Sequence, residues 1–360
     1  MEIMTPSRML PLALSIASLS VQASEAHNHD TQQKPVLEGR WLPAPQLSNG
    51  PKLGLSLGAS LNYLKQFDTI SPTSITGVSG TYSDTQSWVA LLYNRSYWDS
   101  DQQRFTGVLG LAEINNDYDD YLGQGPASVT TNFHLYYLRY QHRWHQSDWF
   151  IGGSYVYTNI NPQASDDVAY LIMTEYQISE EYNAGLGINI TYDSRDNVMN
   201  PTTGGHLEFS STAYQQAFGG DNNYWAFNTQ YSYFQSLDKD WVVAYNTSLL
   251  STPNAPEASK ATLRRYRAYT PGENSADNAF VAQIETRYAF KLRWSVAGFI
   301  GGASLFDENQ PIEERQNWYP IGGVGARYIM DVKSQALIRL DAALGKAGNH
   351  AIYLQLGQAF

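Results

Sequence analysis

The sequence predicts an all-β protein, a transmembrane antiparallel β-barrel of sixteen strands. Three observations predict this class: segments in which apolar and polar residues alternate, connections that alternate between long and short, and an aromatic content led by 26 Tyr at a mean hydropathy of −0.40. In lipid every backbone polar group must be paired within the protein, so a polar-looking chain can span a bilayer only as a closed barrel. Tyrosine and tryptophan suit the two interfacial belts of such a barrel.

The N-terminus is predicted to be a secretory signal peptide. Arg8 precedes an apolar stretch from Met9 to Val21, and the small residue Ala23 follows at a cleavage position. The alternative is a buried N-terminal helix, but the polar run that begins at His27 could not continue it. The predicted organisation is a signal peptide at 1–23, a short periplasmic tail at 24–36 and a barrel at 37–360. No other stretch approaches the roughly 20 apolar residues that a membrane helix needs.

Composition excludes several classes of function. A chain with no cysteine has no disulfides, thiolate chemistry or Cys-type zinc sites, and a net charge of −11 argues against nucleic acid as a partner. No cofactor and no metal site is predicted. His27, His29 and Asp30 are residue types that bind divalent metals, but an ordinary polar tail is the simpler interpretation.

Alternating segments define the strands. The segment 279–290 is the clearest, with Phe280, Ile284 and Tyr288 on one face and Glu285 and Arg287 on the other. A barrel turns the first face to lipid and the second to a wet lumen. The sixteen predicted strands are 37–47, 53–64, 73–84, 86–98, 103–114, 129–143, 149–159, 183–194, 204–217, 224–237, 241–251, 279–290, 292–304, 320–331, 335–345 and 350–360.

The connections give the barrel its orientation. Long connections at 115–128, 160–182, 252–278 and 305–319 alternate with short ones, as expected for long outer loops and short periplasmic turns. The first strand contains Pro43 and Pro45, and proline belongs on a poorly paired edge. We therefore expect this strand to pair loosely with the last strand.

The segment TYDSRDNVMNPTTGGHLEFSSTAY (191–214) resembles the Y-D-S-R-D-N-x-x-x-P-x-x-G turn of the bacterial surface antigen family, the BamA/TamA-like outer-membrane proteins. Physically, aspartate and asparagine side chains can cap a tight turn, proline fixes a bend and glycine permits a positive φ. The predicted turn-motif residues are Asp193, Arg195, Asp196, Pro201 and Gly204.

A second resemblance lies at LRRYRAYTPGENSADNAFVAQIETRYAF (263–290), which is similar to the sixth outer loop and following strand of that family. The family's loop carries a V-R-G-F/Y motif that folds back into the lumen. The resemblance places Arg264 at the motif arginine and Tyr266 at its aromatic residue, with Arg265 where the family has glycine. It implies an inward-folded loop whose arginine meets a carboxylate.

The last three strands resemble the family as well, and Phe360 is similar to its C-terminal aromatic assembly signal. We expect Phe360 to face the membrane. The family's F-x-D-x-G becomes Phe299-Ile300-Gly301-Gly302-Ala303, so the aspartate that usually receives the loop arginine is missing. Glu285 is then the first choice of partner for Arg264, and Asp341 the second. A luminal network is predicted from Arg264, Tyr266, Glu285, Arg287, Arg327, Arg339 and Asp341, with Glu208 sharing the same lumen.

The resemblance implies a function without catalysis. We expect no POTRA domain in the short segment before the first strand, which would place the chain in a POTRA-less branch of the family. Implied partners are outer-membrane lipid, the barrel-assembly machinery during biogenesis and an unidentified periplasmic protein. The main hypothesis is assistance of protein or lipid assembly or transport at the Gram-negative outer membrane. The alternatives are a passive or loop-plugged channel and, without a recognisable catalytic constellation to support it, an outer-membrane enzyme.

Overall fold

A computed structural model describes residues 36–50, 54–118, 121, 124–264, 266–269 and 275–360. The predicted signal peptide and all of the predicted tail except Val36 lie outside the described residues, as do His27, His29 and Asp30. Within the described residues, helices are too short and polar to cross a bilayer.

The described strands close into one antiparallel barrel of sixteen strands, as predicted, and two further short strands form a separate hairpin. The strands are β1 (Arg40–Gly50), β2 (Gly54–Lys65), β3 (Ser74–Ser83), β4 (Trp88–Trp98), β5 (Gln103–Tyr118), β6 (Ala127–Arg143), β7 (Trp149–Ala164), β8 (Glu181–Asp193), β9 (Gly204–Tyr214), β10 (Tyr224–Ser236), β11 (Trp241–Ser251), β12 (Ala261–Thr262), β13 (Ser275–Ala276), β14 (Asn278–Lys291), β15 (Trp294–Phe306), β16 (Trp318–Asp331), β17 (Ala336–Gly345) and β18 (His350–Leu356). Barrel strands pair with their neighbours in sequence, except that β11 pairs with β14 across the hairpin β12–β13 and β1 pairs with β18.

Burial alternates along the strands as the sequence predicts. On β14 the side chains of Gln283, Glu285 and Arg287 are buried inside the barrel, whereas Tyr288 and Phe290 are exposed on its outer surface. Many other large apolar side chains on the strands are exposed in the same way. An apolar outer surface of this extent would be unfavourable in water but matches the hydrocarbon core of a membrane. The alternation therefore puts polar groups in the lumen and apolar groups against lipid.

The junction of β1 and β18, which we call the seam, is the weakest pairing in the barrel. All 11 residues of β1 are in register with β2, but only Leu47, Ser48 and Asn49 are in register with β18. Pro43 and Pro45 lie in the part of β1 that β18 leaves unpaired, and proline has no N–H to donate. The predicted loose seam is confirmed, although β1 begins and ends about three residues later than predicted.

The last four residues leave the barrel wall, which corrects the expectation that Phe360 faces the membrane. Gly357 adopts a φ of +87°, and its N–H donates to the carbonyl of Leu337 at 2.7 Å. The chain then turns inward, and Phe360 is 1% exposed in a cluster with Phe234 and Ala244 of the luminal wall. Glycine at this bend is what allows the chain to leave the alternating pattern.

The outer connection between β7 and β8 contains a helix that the all-β prediction missed, α1 (Asp167–Glu175). Asp166 caps it by accepting the N–H of Ala169 at 2.7 Å. Ile172 and Met173 are buried with Val129 of β6. The helix therefore lies against extensions of β6 and β7 that are longer than predicted.

Candidate functional site

The sixth outer loop lies between β11 and β14, at residues 252–277, and its described residues fold into the lumen. Its described part contains the hairpin β12–β13, and Leu263, Tyr266 and Tyr269 are buried in a cluster with wall residues that include Phe299 and Leu305. Burial of these apolar side chains holds the loop against the inner wall.

Arg267 of this loop is bound by two carboxylates. One Nη1 lies 2.7 Å from Glu285 Oε2 on β14 and 3.3 Å from Asp341 Oδ2 on β17. The guanidinium also lies 3.4 Å from the ring centroid of Phe299, which adds a cation–π contact. The loop is thus joined to strands on both sides of β15 and β16.

Three further arginines share the same carboxylates. Arg287 Nε lies 2.8 Å from Glu285, Arg339 Nη1 lies 3.1 Å from Asp341, and Arg327 reaches both acids at 3.2 and 2.5 Å. We call these six residues the loop cluster: Arg267, Glu285, Arg287, Arg327, Arg339 and Asp341. Their side chains are at most 6% exposed, so four guanidinium groups depend on two buried carboxylates.

The predicted pairing of Arg264 is wrong. The described residues show Arg267, three positions later, on the carboxylates, whereas Arg264 is exposed. Tyr266-Arg267-Ala268-Tyr269 preserves the V-R-G-F/Y spacing, with Ala268 at the glycine position and a φ of +69°. That left-handed conformation explains why the family has glycine there. Both Tyr266-Arg267-Ala268-Tyr269 and Arg264-Arg265-Tyr266 match part of the motif in the sequence, so the sequence alone did not distinguish them. Arg265 lies outside the described residues.

Two tyrosines beside Arg267 hydrogen-bond the loop to β16 of the barrel wall. Tyr266 donates its hydroxyl proton to the carbonyl of Tyr319 at 2.5 Å, and Tyr269 donates to that of Pro320 at 2.9 Å. A Cβ at Gly345 would lie 2.8 Å from the Tyr269 ring, so glycine is needed for this close approach. Tyr266 therefore serves as a loop anchor beside the loop cluster without belonging to it.

The periplasmic turn between β8 and β9, residues 194–203, is built as its sequence predicts. Asp196 accepts N–H groups from Thr202 and Thr203 at 2.8 and 3.1 Å, and Asn197 accepts from Met199 and Asn200. Gly204 has a φ of +93°.

Asp193 and Arg195 of the turn motif pair with each other and do not cap the backbone of the turn. The two form a forked ion pair, with Nε–Oδ1 and Nη2–Oδ2 distances of 2.7 and 2.8 Å. Arg104 of β5 also binds Asp193 at 2.9 Å. Glu208, expected to share the lumen with the loop cluster, pairs with Arg139 at 2.6 Å instead.

The turn reaches across the periplasmic mouth toward the seam. The carbonyl of Pro201 accepts a hydrogen bond from Arg287 at 3.1 Å, and Asn200 accepts one from Gln358 at 2.8 Å. Gln358 in turn accepts from Arg327 at 3.2 Å. Met199 joins a buried cluster that contains Leu42 of β1 and Leu356 of β18. Loop, turn and C-terminus are therefore connected through the loop cluster, a relation that sequence spacing did not indicate.

Within the described residues, no group of three or more histidine and acidic side chains is arranged to hold a metal ion. The side chains of the loop cluster form ion pairs and hydrogen bonds with one another.

Several solved outer-membrane structures have a similar architecture. BamA from Haemophilus ducreyi lacking POTRA domains 1–3 is similar with a TM-score of 0.54 and 13% identity, over 89% of this chain and 70% of that one. CdiB from Acinetobacter baumannii gives 0.57 and 12%, over 93% and 63%, and CdiB from Escherichia coli gives 0.60 and 11%, over 93% and 66%. The chain thus spans somewhat less than two thirds of the length of these CdiB structures.

At these identities the likeness concerns the fold. A sequence search of curated proteins gives no significant match. The Omp85 superfamily domain matches residues 74–360, which is most of the chain and includes the sixth outer loop, the periplasmic turn and the last three strands. The chain therefore belongs to the Omp85 superfamily.

Proposed function

We propose that this barrel, which lies in the outer membrane of a Gram-negative bacterium, assists the assembly or translocation of macromolecules by opening its seam. The observation that carries the proposal is the short pairing between β1 and β18, confined to Leu47, Ser48 and Asn49. Few backbone hydrogen bonds must break to separate these strands, whereas neighbouring strands are paired over most of their length. The role involves binding and opening and requires no bond-making step by the chain.

A disulfide across the seam tests the proposal. The natural chain has no cysteine, and the Cα partners Leu47 and Leu354 lie at a strand spacing that a disulfide can bridge. Leu47→Cys with Leu354→Cys should prevent complementation of the deletion strain, scored by its outer-membrane protein and lipid profile, and reduction should restore it.

The matched control joins the same position to its other neighbour. Leu47→Cys with Leu57→Cys locks β1 to β2, which the proposal keeps together, and should complement fully. Full complementation by the oxidised seam variant would contradict seam opening.

A loop-plugged channel is the second candidate, favoured by the sixth outer loop and the turn 194–203 inside the lumen. The proposed partners are outer-membrane lipid, the barrel-assembly machinery during biogenesis and a periplasmic protein that delivers cargo. Their support is the family membership and the position of the seam.

A further inference from the structure

The periplasmic end of the hairpin β14–β15 departs from the alternating pattern of the wall. All residues from 288 to 294 are exposed, whereas buried and partly buried residues alternate along the rest of β14. The pairing register shifts between Ala289 and Lys291, and a second shift lies at the same end of β16–β17, between Ile329 and Asp331. Such bulges reorient side chains. The two neighbouring turns therefore expose side chains that a regular strand would place alternately inside and outside.

Aromatic pairs mark the height of the membrane boundary at this end. Ring centroids of Trp294 on β15 and Tyr328 on β16 lie 4.7 Å apart, as do those of Trp241 on β11 and Tyr288 on β14. Amphipathic aromatic rings lie at the level of the lipid headgroups in outer-membrane barrels. The turn between β14 and β15, whose Leu292 is 85% exposed, therefore lies where headgroups meet water.

Three basic residues at these two turns have no acidic partner. Lys291, Arg293 and Lys333 are exposed, and within the described part of the chain none of them forms an ion pair. Arg293 Nη1 lies 3.5 and 3.4 Å from the carbonyl oxygens of Ile329 and Met330, so it joins one turn to the other. We define the basic rim by its exposed members, which are Lys291, Leu292, Arg293, Val332 and Lys333.

The acidic residues on neighbouring segments are not paired with the basic rim. Asp331 pairs with Arg40, and the Asp331 side chain is 2% exposed. In the adjacent turn 237–240, one aspartate lies 3.9 Å from the lysine of that turn, and the other accepts N–H groups of the turn. Glu38 adjoins Arg40 in the chain. An anion from outside the protein is thus free to bind the three cations.

We infer that the basic rim binds the headgroup of an anionic phospholipid in the leaflet of the outer membrane that faces the periplasm. Each lysine or arginine at a bilayer surface increases the affinity for anionic lipid roughly fivefold. Leu292 and Val332, which is 41% exposed, adjoin the lipid-facing surface of the same hairpins and add apolar contact with the lipid. An acidic soluble protein would satisfy the cations but would not account for the apolar side chains at headgroup level. The site lies on turns away from the seam strands, so it does not depend on the proposed function.

Fluorescence quenching beside the basic rim tests the inference in the full-length barrel, reconstituted in phosphatidylcholine bilayers. The natural chain has no cysteine, so Ala289→Cys provides a single position for a fluorophore on the exposed end of β14. Phosphatidylglycerol and phosphatidylcholine that carry the same spin label on an acyl chain are titrated separately. Phosphatidylglycerol should reach half-maximal quenching at a mole fraction roughly tenfold lower. Most of this difference should vanish in about 1 M sodium chloride, because salt screens exposed charges.

Two substitutions identify the cations responsible. Lys291→Gln and Lys333→Gln remove exposed lysines outside the ion pairs of the wall, and each should lower the preference for phosphatidylglycerol roughly threefold to fivefold. The double variant should show little preference. Lys239→Gln is the matched control, because this lysine is 88% exposed on the adjacent turn but lies between two aspartates. It should leave the preference unchanged. Folding of every variant is checked by the difference in gel mobility between boiled and unboiled samples.

Equal quenching by the two lipids at low salt would overturn the inference. So would a preference for phosphatidylglycerol that persists in the double variant, or one that Lys239→Gln reduces as much as Lys291→Gln does. Polyglutamate represents an acidic protein partner. If it binds the barrel in neutral detergent through Lys291 and Lys333 while quenching shows no lipid preference, the basic rim serves a protein and the lipid site is refuted.

Discussion

Ala268 occupies a backbone conformation that suits glycine better than any L-residue. Its φ is +69°, and its side chain is fully buried between Arg267, which pairs with Glu285, and Tyr269, which bonds to the carbonyl of Pro320. A left-handed L-residue costs about 1–2 kcal/mol. Part of the energy of docking the loop is therefore lost to backbone strain at this position.

Replacement of Ala268 should reveal this strain. Ala268→Gly is expected to raise the free energy of unfolding by up to about 1 kcal/mol, and Ala268→Val to lower it by more than that. Urea unfolding in detergent micelles measures both. Ala279→Gly on β14 is the control, because its alanine is buried without a positive φ and glycine there should be destabilising. Loss of stability in Ala268→Gly equal to that in Ala279→Gly would refute the strain.

The imbalance between arginines and acids in the loop cluster makes its acids more important than its arginines. Glu285→Ala removes the partner of Arg267, Arg287 and Arg327 at once and should cost about 3–5 kcal/mol, as for an uncompensated buried charge. Arg267→Ala should cost less, because Glu285 and Asp341 keep other guanidinium partners. Arg264→Ala is the exposed control and should be close to neutral. An Arg267→Ala loss larger than the Glu285→Ala loss would show that the loop, and not the charge balance, sets stability.

At the scale of elements, helix α1 depends on the ionised cap at Asp166. The N–H of Ala169, and then that of Ser128, hold the pKa of this carboxyl below its usual value of 3.8. A lowered pKa in the folded state stabilises the helix above pH 3.8, and this contribution is lost as pH falls through the lowered pKa.

Pepsin cleavage at the exposed Tyr170 and Leu171 should therefore increase steeply at the acid end of the enzyme's working range. Asp166→Asn retains an acceptor oxygen without a charge, so its cleavage, after correction for pepsin activity, should vary less with pH. Parallel pH profiles for the two proteins would contradict the role of ionisation.

The C-terminal segment has two separable roles, packing and the assembly signal that its resemblance implies. Phe360→Ala and Phe234→Ala remove opposite sides of one buried contact, and each should cost about 3 kcal/mol in unfolding experiments. If Phe360 is also read during assembly, Phe360→Ala alone should reduce the amount of barrel in the outer membrane at early times after induction. Equal pulse-labelled yields for the two variants would leave only the packing role.

The strands of the barrel wall could be predicted from the sequence, whereas the segments that leave the wall could not. The alternation around Glu285 and Arg287 predicted β14, because a two-sided wall forces a period of two on its residues. In the final segment Ile352, Leu354 and Leu356 continue that alternation. Gly357 then turns the chain inward, and the spacing of apolar residues gives no sign of a change in chain direction. The loop has no period at all, so Arg264 and Arg267 could be distinguished only by tertiary contacts.

At the scale of the whole molecule, three inward segments occupy the lumen: the sixth outer loop, the turn 194–203 and the C-terminal residues after Gly357. Arg287 connects the first two through Glu285 and the carbonyl of Pro201, and Gln358 connects the turn to Arg327. Because these contacts share the loop cluster, loosening one segment should affect the others. This coupling separates a plugged barrel from an open pore.

Planar-bilayer conductance measures the plug directly. The wild-type barrel should conduct weakly, because the three segments occupy part of the lumen and are bonded to its wall. Arg267→Ala should produce larger and more frequent openings, since the loop loses its ion pairs with Glu285 and Asp341 while β14 and β17 keep their pairing. Asn200→Ala, which removes the contact with Gln358, should have a smaller effect in the same direction. Arg264→Ala should resemble the wild type. A large steady conductance in the wild-type protein would mean that the loop leaves the lumen in a bilayer, and the loop cluster would then stabilise a closed state that the membrane does not favour.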